Sequence, residues 1–147
     1  MADAQVWRCK NRELIVAMRV LRDRFGEPAV DAVAEVHRNN VRQAFRKKAA
    51  ETGRNDLAAL AESARGSSET HTSQVLRQDD RVLEIRITRC AHAEQYAEWN
   101  ARDVGLKFMC AGDLAMIEGL NPRITLERPK LLMNGDDCCH FIYRLED

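Results

Sequence analysis

The first third of the chain has the apolar spacing of amphipathic helices. Over 11–25 the apolar residues recur at intervals of three and four, which predicts a helix that ends at Gly26. Pro28 suits the first turn of a second helix, and the same spacing extends that helix through Phe45. We therefore expect two consecutive helices at the start of the fold.

The next segment is polar and lacks a clear period. Asp56 is placed to cap a short third helix over 57–65. We predict that 66–80 is a loop, and its first part, 66–72, is a candidate lid over a site.

Alternation replaces helical spacing in the second half of the chain. Apolar and polar residues alternate over 82–88, which predicts a half-buried strand that ends at Cys90. Helical segments over 91–100 and 106–119 follow it. Gly105 stands between the two segments and predicts a break there.

The last part of the chain carries a strong hairpin signal. Asn134 and Gly135 are typical of a tight turn, and they join a strand over 123–133 to a strand over 138–145. Because Pro129 has no N–H to donate, it indicates that the first of these strands lies at an edge or contains a bulge.

The order of these elements predicts an α+β fold, with N-terminal helices packed on a small antiparallel sheet. A chain of 147 residues has the usual size of a single domain. We interpret 1–147 as one domain with a helical part (1–65), a loop (66–80) and a strand, helix and hairpin part (81–147) that holds the candidate site.

The charge balance limits the class of partner. Lys and Arg total 23 and Asp and Glu total 23, so the chain has no net field that would attract nucleic acid. No apolar run approaches the ~20 residues that cross a bilayer, and the polar N-terminus lacks the apolar stretch of a signal peptide. We predict a soluble cytoplasmic protein without membrane or nucleic-acid partners, whose five cysteines are reduced thiols.

Residues suited to catalysis are concentrated between positions 86 and 144. Thiols and carboxylates recur there at spacings that suit one shared pocket, namely at Cys90, Glu94, Cys110, Asp113 and Cys139.

The sequence around these residues resembles a known family. Four stretches read R-I-T-R-C-A-H-A-E, F-M-C-A-G-D, N-P-R-I-T-L-E-R and N-G-D-D-C-C-H-F-I-Y-R, and R-F-G-E-P-A-V near the N-terminus is a weaker match. In this order they resemble the L-2-amino-thiazoline-4-carboxylic acid hydrolase family, which has a strand ending in Cys, a helix with an early Glu, a C-x-x-D and a closing G-x-x-x-C-x-F hairpin. His92 and His140 stand where the family usually has an aromatic residue and Asp. If those family positions bind substrate, these departures imply a different substrate.

The resemblance implies hydrolysis of a C–N or C–S bond in a small heterocyclic or amidine-like compound by thiol and carboxylate groups. Cys90 is the first choice as nucleophile, because a helix N-terminus favours a thiolate. Cys110 and Asp113 share a helix face, and Asp113 or Glu94 can act as acid or base if burial raises its pKa. The closing motif adds Cys139. The alternative is that each cysteine packs as a small apolar residue and Glu94 is exposed.

Four further residues are candidates for substrate binding. His92 lies two residues after Cys90 and can lower the pKa of that thiol or donate a proton. Arg123 and Arg128 can hold a substrate carboxylate by paired hydrogen bonds, although surface ion pairs are the more ordinary use of arginine. His140 is a candidate more distant from the reacting atoms.

Other functions stay open. Thiols with Asp113 or a histidine can form a tetrahedral zinc set, but the chain has no C-x-x-C pair, and we predict no cofactor. The closing hairpin also resembles vinyl-reductase-type sensory domains, whose E-x-x-C zinc residues are replaced here by Arg128 and Leu131. The alternatives are therefore a non-catalytic binding or sensor domain, a biosynthetic cyclase or lyase on the same fold, and a zinc-stabilised structural domain. The expected partner is a small-molecule substrate, and the predicted hairpin edge is compatible with a homo-oligomer.

Overall fold

Two long helices begin the fold in the computed structural model, which describes residues 2–147 and their side chains from residue 5. Helix α1 spans Ala2–Phe25 and α2 spans Glu27–Thr52. Gly26, with φ of 80°, separates them, and Pro28 lies in the first turn of α2, as predicted. Helix α1 begins earlier than the predicted 11–25 because residues before Asn11 also pack, through Trp7, against His92.

The segment predicted as a loop, 66–80, instead contains two strands. After α3 (Leu57–Ser63), capped by Asp56 as predicted, the chain forms β1 (Gly66–Ser67) and β2 (His71–Gln78). Strand β2 pairs with the next strand, and its register shifts twice, which disrupts the alternation of its side chains. Its polar sequence therefore does not show the pattern of a strand.

The predicted strand before Cys90 is confirmed as β3 (Val82–Cys90), and α4 (Ala91–Glu98) follows it directly. The predicted break at Gly105 is wrong, because α5 (Arg102–Gly105), a π-helical turn (Leu106–Cys110) and α6 (Ala111–Leu120) run on as one helical stretch. A methyl group on Gly105 would lie 2.7 Å from Cε of Met133 and 3.0 Å from Cγ of Tyr96. Glycine is present at position 105 because the packing is close.

The sheet is antiparallel, with strand order β1-β2-β3-β5-β4. Strands β4 (Ile124–Lys130) and β5 (Cys139–Leu145) form the predicted hairpin, but β4 ends at Lys130 and not at the predicted position 133. A 3-10 turn (Leu132–Asn134) and Gly135, whose φ is 93°, lie in the connection. Strand β4 lies at the edge, and its register shifts between Glu127 and Lys130, around Pro129. Both features agree with the prediction made from that proline.

The helices pack in two groups, one against the sheet and one against other helices, and each group encloses part of the core. Helices α3 and α6 lie on the apolar face of the sheet, while α1 and α2 pack on α4, the π-helical turn and α6. The α+β fold class is thus confirmed. None of the helices in the described part of the chain is both long and apolar enough to cross a membrane.

Candidate functional site

A cavity of about 220 Å³ lies where β3 ends and α4 begins. The π-helical turn, α6, the 3-10 turn and β5 close its other sides. Thiol, carboxyl and imidazole groups line it together with apolar side chains, and these groups belong to His71, Cys90, His92, Cys110, Asp113 and Cys139. The structure therefore places five of the residues selected from the sequence around one cavity, and it adds His71.

Cys90 is the last residue of β3 and the N-cap of α4. Its Sγ accepts a hydrogen bond from the backbone N–H of Ala93 at 3.5 Å. Burial nevertheless raises the pKa of Cys90 above its ordinary value of 9.0, and the charges of Asp113 and Glu94 add to the rise. The backbone N–H groups of Ala93 and His92 at the helix N-terminus favour the thiolate, as expected. Desolvation outweighs them, however, so the net shift of the pKa is upward.

His71, which no motif in the sequence indicated, contacts Cys90 directly. The two residues face each other across the β2–β3 ladder, and His71 Nε2 lies 3.5 Å from Cys90 Sγ. Its Nδ1 lies 2.9 Å from Oγ1 of Thr70. Burial and the charge of Arg89 lower the pKa of His71 below 6.5, so the imidazole is neutral at neutral pH.

His92 is held by a side chain from the other end of the chain. The Nδ2 amide of Asn11, which is buried, donates to His92 Nδ1 at 2.9 Å and to Gln95 Oε1 at 3.0 Å. Because an amide N–H can only donate, His92 Nδ1 is an acceptor and the neutral ring carries its hydrogen on Nε2. Burial, and His71 nearby, lower the pKa of His92. The neutral ring is then fixed as a donor through Nε2.

Cys110 and Cys139 are more strongly held as neutral thiols than Cys90. Burial and the neighbouring Asp113 raise the pKa of Cys110 to about 12. Burial raises the pKa of Cys139 to about 11, although its Sγ accepts a hydrogen bond from the backbone N–H of Leu132 at 3.2 Å. Neither thiol has a base in contact comparable to His71, so both act first as walls of the cavity.

Asp113 is poised for proton transfer. Burial raises the pKa of its carboxyl group to about 6, against the opposing effect of Arg128, whose Nη1 lies 3.5 Å from Oδ2. The side chain is 32% exposed and faces the cavity. Arg128 also donates to the carbonyl oxygen of Cys110. Arg128 therefore orients the helix that carries Asp113, and it does not itself line the cavity.

Two further predicted residues lie outside the cavity. Glu94 points to solvent, where its carboxylate is 55% exposed and forms a two-pronged ion pair with Arg89 at 3.0 Å. Arg123 donates to the backbone oxygen of Glu146 near the C-terminus. The expectation that Glu94 shares the pocket with the thiols is therefore wrong, because its carboxylate already pairs with Arg89 on the surface. The position of Arg123 outside the cavity gives no support to its predicted contact with a substrate carboxylate.

His140 also lies away from the cavity. It follows Cys139 on β5, so its side chain projects from the opposite face of the sheet. There His140 Nε2 lies 2.6 Å from Oε1 of Glu84. The predicted role of His140 in substrate binding is not supported by this position.

Metal binding has little support in the geometry. Among the side chains that the structure describes, from residue 5 onward, no three of His, Cys, Asp or Glu are placed to hold one metal ion. The thiols that line the cavity come from β3, the π-helical turn and β5, and a tetrahedral zinc site would need a group of ligands that these described residues do not form.

The model of one protein family matches residues 9–143, nearly the whole chain. The chain belongs to the L-2-amino-thiazoline-4-carboxylic acid hydrolase family. No curated protein matches this member of the family. A solved structure, the trafficking protein particle complex subunit 3 from Naegleria fowleri covalently bound to palmitic acid, is similar in fold, with 13% identity and a TM-score of 0.54 over 99% of this chain and 96% of that one.

The structure contains a second, larger cavity of about 870 Å³ beside the first. The two share His71, Ile87, Asp113 and Phe141 as lining residues. Apolar side chains from α2, α3, α6 and the sheet line the larger cavity, among them Phe45, Leu60, Met116, Leu120 and Tyr143. Asp113 and His71 thus lie at the boundary between a small cavity rich in thiols and a large one that is mainly apolar.

Proposed function

We propose that this family member hydrolyses a small cyclic amidine of the 2-aminothiazoline carboxylate type, with Cys90 as nucleophile and Asp113 as general acid. The observation that supports the proposal best is that Cys90 and Asp113 line one cavity in a chain that belongs to this hydrolase family. The carboxyl group of Asp113, with a pKa of about 6, is close to the value at which a group can both give and accept a proton near neutral pH.

Ring opening divides into two steps. In the first, the thiol of Cys90 gives its proton to a neutral imidazole that lines the cavity, and its sulfur bonds to the amidine carbon, between the ring sulfur and nitrogen. The ring C–S bond then breaks, and the leaving sulfur takes a proton from Asp113. The product of this step is an isothiourea, in which the former amidine carbon is attached to Cys90.

Water completes the reaction. Ionised Asp113 takes a proton from a water molecule, whose oxygen bonds to the same carbon. The bond to Cys90 breaks, the sulfur takes its proton back from the imidazole, and a ureido compound with a free thiol is released. The overall reaction consumes one water molecule and restores every side chain that took part.

The test is turnover of 2-aminothiazoline-4-carboxylate and a panel of related cyclic amidines by chelator-treated protein. We expect the product mass to exceed that of the substrate by one water, with release of one free thiol. Cys90→Ser and Asp113→Asn should each lower kcat by at least about 100-fold while the circular dichroism spectrum is unchanged. Cys9→Ser, which changes an exposed thiol on α1, is the matched control and should keep full activity. Full activity of Cys90→Ser would overturn the proposal.

A second candidate function is non-catalytic binding of an apolar ligand. The large apolar cavity supports it, and the similar Naegleria fowleri structure is one covalently bound to palmitic acid. A fluorescent palmitate analogue would be titrated into the protein and displaced with palmitate. Met116→Trp, which would fill part of the cavity, should weaken binding at least about tenfold. Saturable binding together with no turnover of any cyclic amidine would favour this candidate over the hydrolase.

A further inference from the structure

We infer that His71 is the general base for Cys90, in a Cys90–His71–Thr70 arrangement that spans the β2–β3 ladder. The inference rests on the proposed function only in assigning Cys90 as the nucleophile. The contact itself is a property of the two strands, because the register pairs His71 with Cys90 and brings Nε2 within 3.5 Å of Sγ.

Two hydroxyl groups next to His71 allow one consistent direction for its hydrogen bonds. Ser68 Oγ lies 3.3 Å from the backbone oxygen of His71 and can donate to it. In the contact of 3.3 Å between Ser68 Oγ and Thr70 Oγ1 either oxygen can donate, and the inferred arrangement has Thr70 as the donor. Thr70 Oγ1 then accepts from His71 Nδ1 at 2.9 Å. His71 then carries its hydrogen on Nδ1 and presents a lone pair on Nε2 to the thiol.

The proton balance of the pair is simple. The S–H of Cys90 donates to Nε2 of His71 in the resting state. When the sulfur bonds to a carbon electrophile, its proton moves to Nε2 and the ring becomes an imidazolium held by Thr70. When Cys90 leaves as a thiolate, the same proton returns to it.

A base in contact is needed because the surroundings disfavour a free thiolate. Burial raises the pKa of Cys90 and lowers the pKa of His71, so both groups are neutral near pH 7. The titratable or charged groups that act on the pair come from every element around it, namely Arg89 on β3, His92 and Glu94 on α4, Cys110 on the π-helical turn, Asp113 on α6 and Cys139 on β5. When the proton moves to His71 as the carbon–sulfur bond forms, no free thiolate has to form before the reaction.

His92 does not fill this role. Its Nδ1 is occupied by Asn11, and its ring centroid lies 5.9 Å from that of His71. The imidazole in contact with the thiol is the one on β2.

The test is the rate at which iodoacetamide alkylates Cys90 between pH 5 and 10, followed by peptide mass spectrometry. For the wild-type protein we expect a plateau at neutral pH, which ends only below pH 6.5 as His71 becomes protonated. For His71→Gln we expect a rate about 100-fold lower at pH 7 that rises tenfold with each pH unit, since it then follows the raised pKa of the thiol alone. His140→Gln, which removes a histidine from the opposite face of the sheet, is the matched control and should match the wild-type profile.

Two outcomes would overturn the inference. One is identical pH profiles for the wild-type protein and His71→Gln. The other is an NMR spectrum of the wild-type protein in which the neutral His71 ring carries its hydrogen on Nε2, a measurement that needs no variant. Because neither test uses a substrate, the pair can be verified even if no cyclic amidine is hydrolysed. Conversely, turnover that is unaffected by His71→Gln would reject the pair and leave the proposed function standing.

Discussion

The contact between α2 and α6 is so close that one methyl group should disrupt it. A Cβ atom at Gly119 would lie 3.0 Å from the carbonyl carbon of Arg42 and 3.1 Å from its Cα, and closer still to its carbonyl oxygen. Carbon atoms in favourable contact are about 3.5–4.0 Å apart, so α6 would have to move away from α2 by several tenths of an ångström or more. The obstacle is backbone inside α2, which cannot rotate out of the way as a side chain can.

The expected cost of Gly119→Ala follows from two opposing effects. Alanine is favoured over glycine inside a helix by about 1 kcal/mol, whereas overpacking of a tight contact costs about 1–3 kcal/mol and occasionally more. Since the overlap is with backbone, we expect the upper end of that range and a net loss of about 2 kcal/mol in the free energy of unfolding. The same displacement would strain the ion pair between Arg42 and Glu118.

The assay is urea unfolding of Gly119→Ala beside Gly112→Ala, which changes the same helix. No heavy atom of the described neighbours lies within 4 Å of a Cβ at Gly112, so that variant should be neutral or more stable by up to about 1 kcal/mol. Asp113 on α6 lines the larger cavity, so a displacement of α6 should also change that cavity. We expect this change in Gly119→Ala and not in Gly112→Ala. Equal stability of the two variants would refute the packing argument.

Three further outcomes follow from the site. The pKa of Asp113 is raised from 3.8 to about 6 in the folded protein, so its ionised carboxylate destabilises the folded state above pH 6. Asp113→Asn should therefore raise the thermal midpoint at pH 8, and this gain should disappear as the pH falls through 6 towards 3.8. In the wild-type protein, iodoacetamide should modify exposed Cys9 well before Cys110 or Cys138, as peptide mapping over time would show, because the pKa of Cys110 is about 12 and Cys138 is buried. Glu94→Gln should leave kcat within about twofold of the wild-type value in the cyclic amidine assay, since the carboxylate lies in solvent; a large loss would return it to the mechanism.

Local signals in the sequence predicted much of the fold. Gly26 with Pro28, Asp56 and Pro129 each act within one or two turns of the backbone, and their effects were correctly inferred. Strand β2 could not be found in this way, because two register shifts disrupt its alternation and its stability comes from pairing with β3. Gly105 misled for a related reason, since its small size serves a contact with Met133, far along the chain.

In the candidate site, too, contacts within one helix could be predicted from the sequence, whereas effects of distant residues could not. Cys110 and Asp113 share a helix face and were correctly expected to lie together, because a spacing of three residues decides that from the sequence. The spacing of Glu94 from Cys90 gave no such information, since Cys90 belongs to the strand and Glu94 turns outward to Arg89. Burial also reversed the expected sign of the pKa shift at Cys90, and burial cannot be seen in a sequence motif.

The residues that complete the cavity come from outside the segment with the family motifs. His71 lines it from β2, and Asn11 on α1, which does not itself line the cavity, holds the ring of His92. The motif region from 86 to 144 therefore supplies the thiols and the carboxyl group, but hydrogen bonds from the first half of the chain determine which ring nitrogen of each imidazole carries the hydrogen. It follows that two family members with identical motifs can differ in the reactivity of the same cysteine if they differ at positions 11, 70 or 71. Comparing alkylation rates of the cysteine at position 90 in Asn11→Leu and Thr70→Val variants would measure that contribution directly, and unchanged rates in both would confine the chemistry to the motifs.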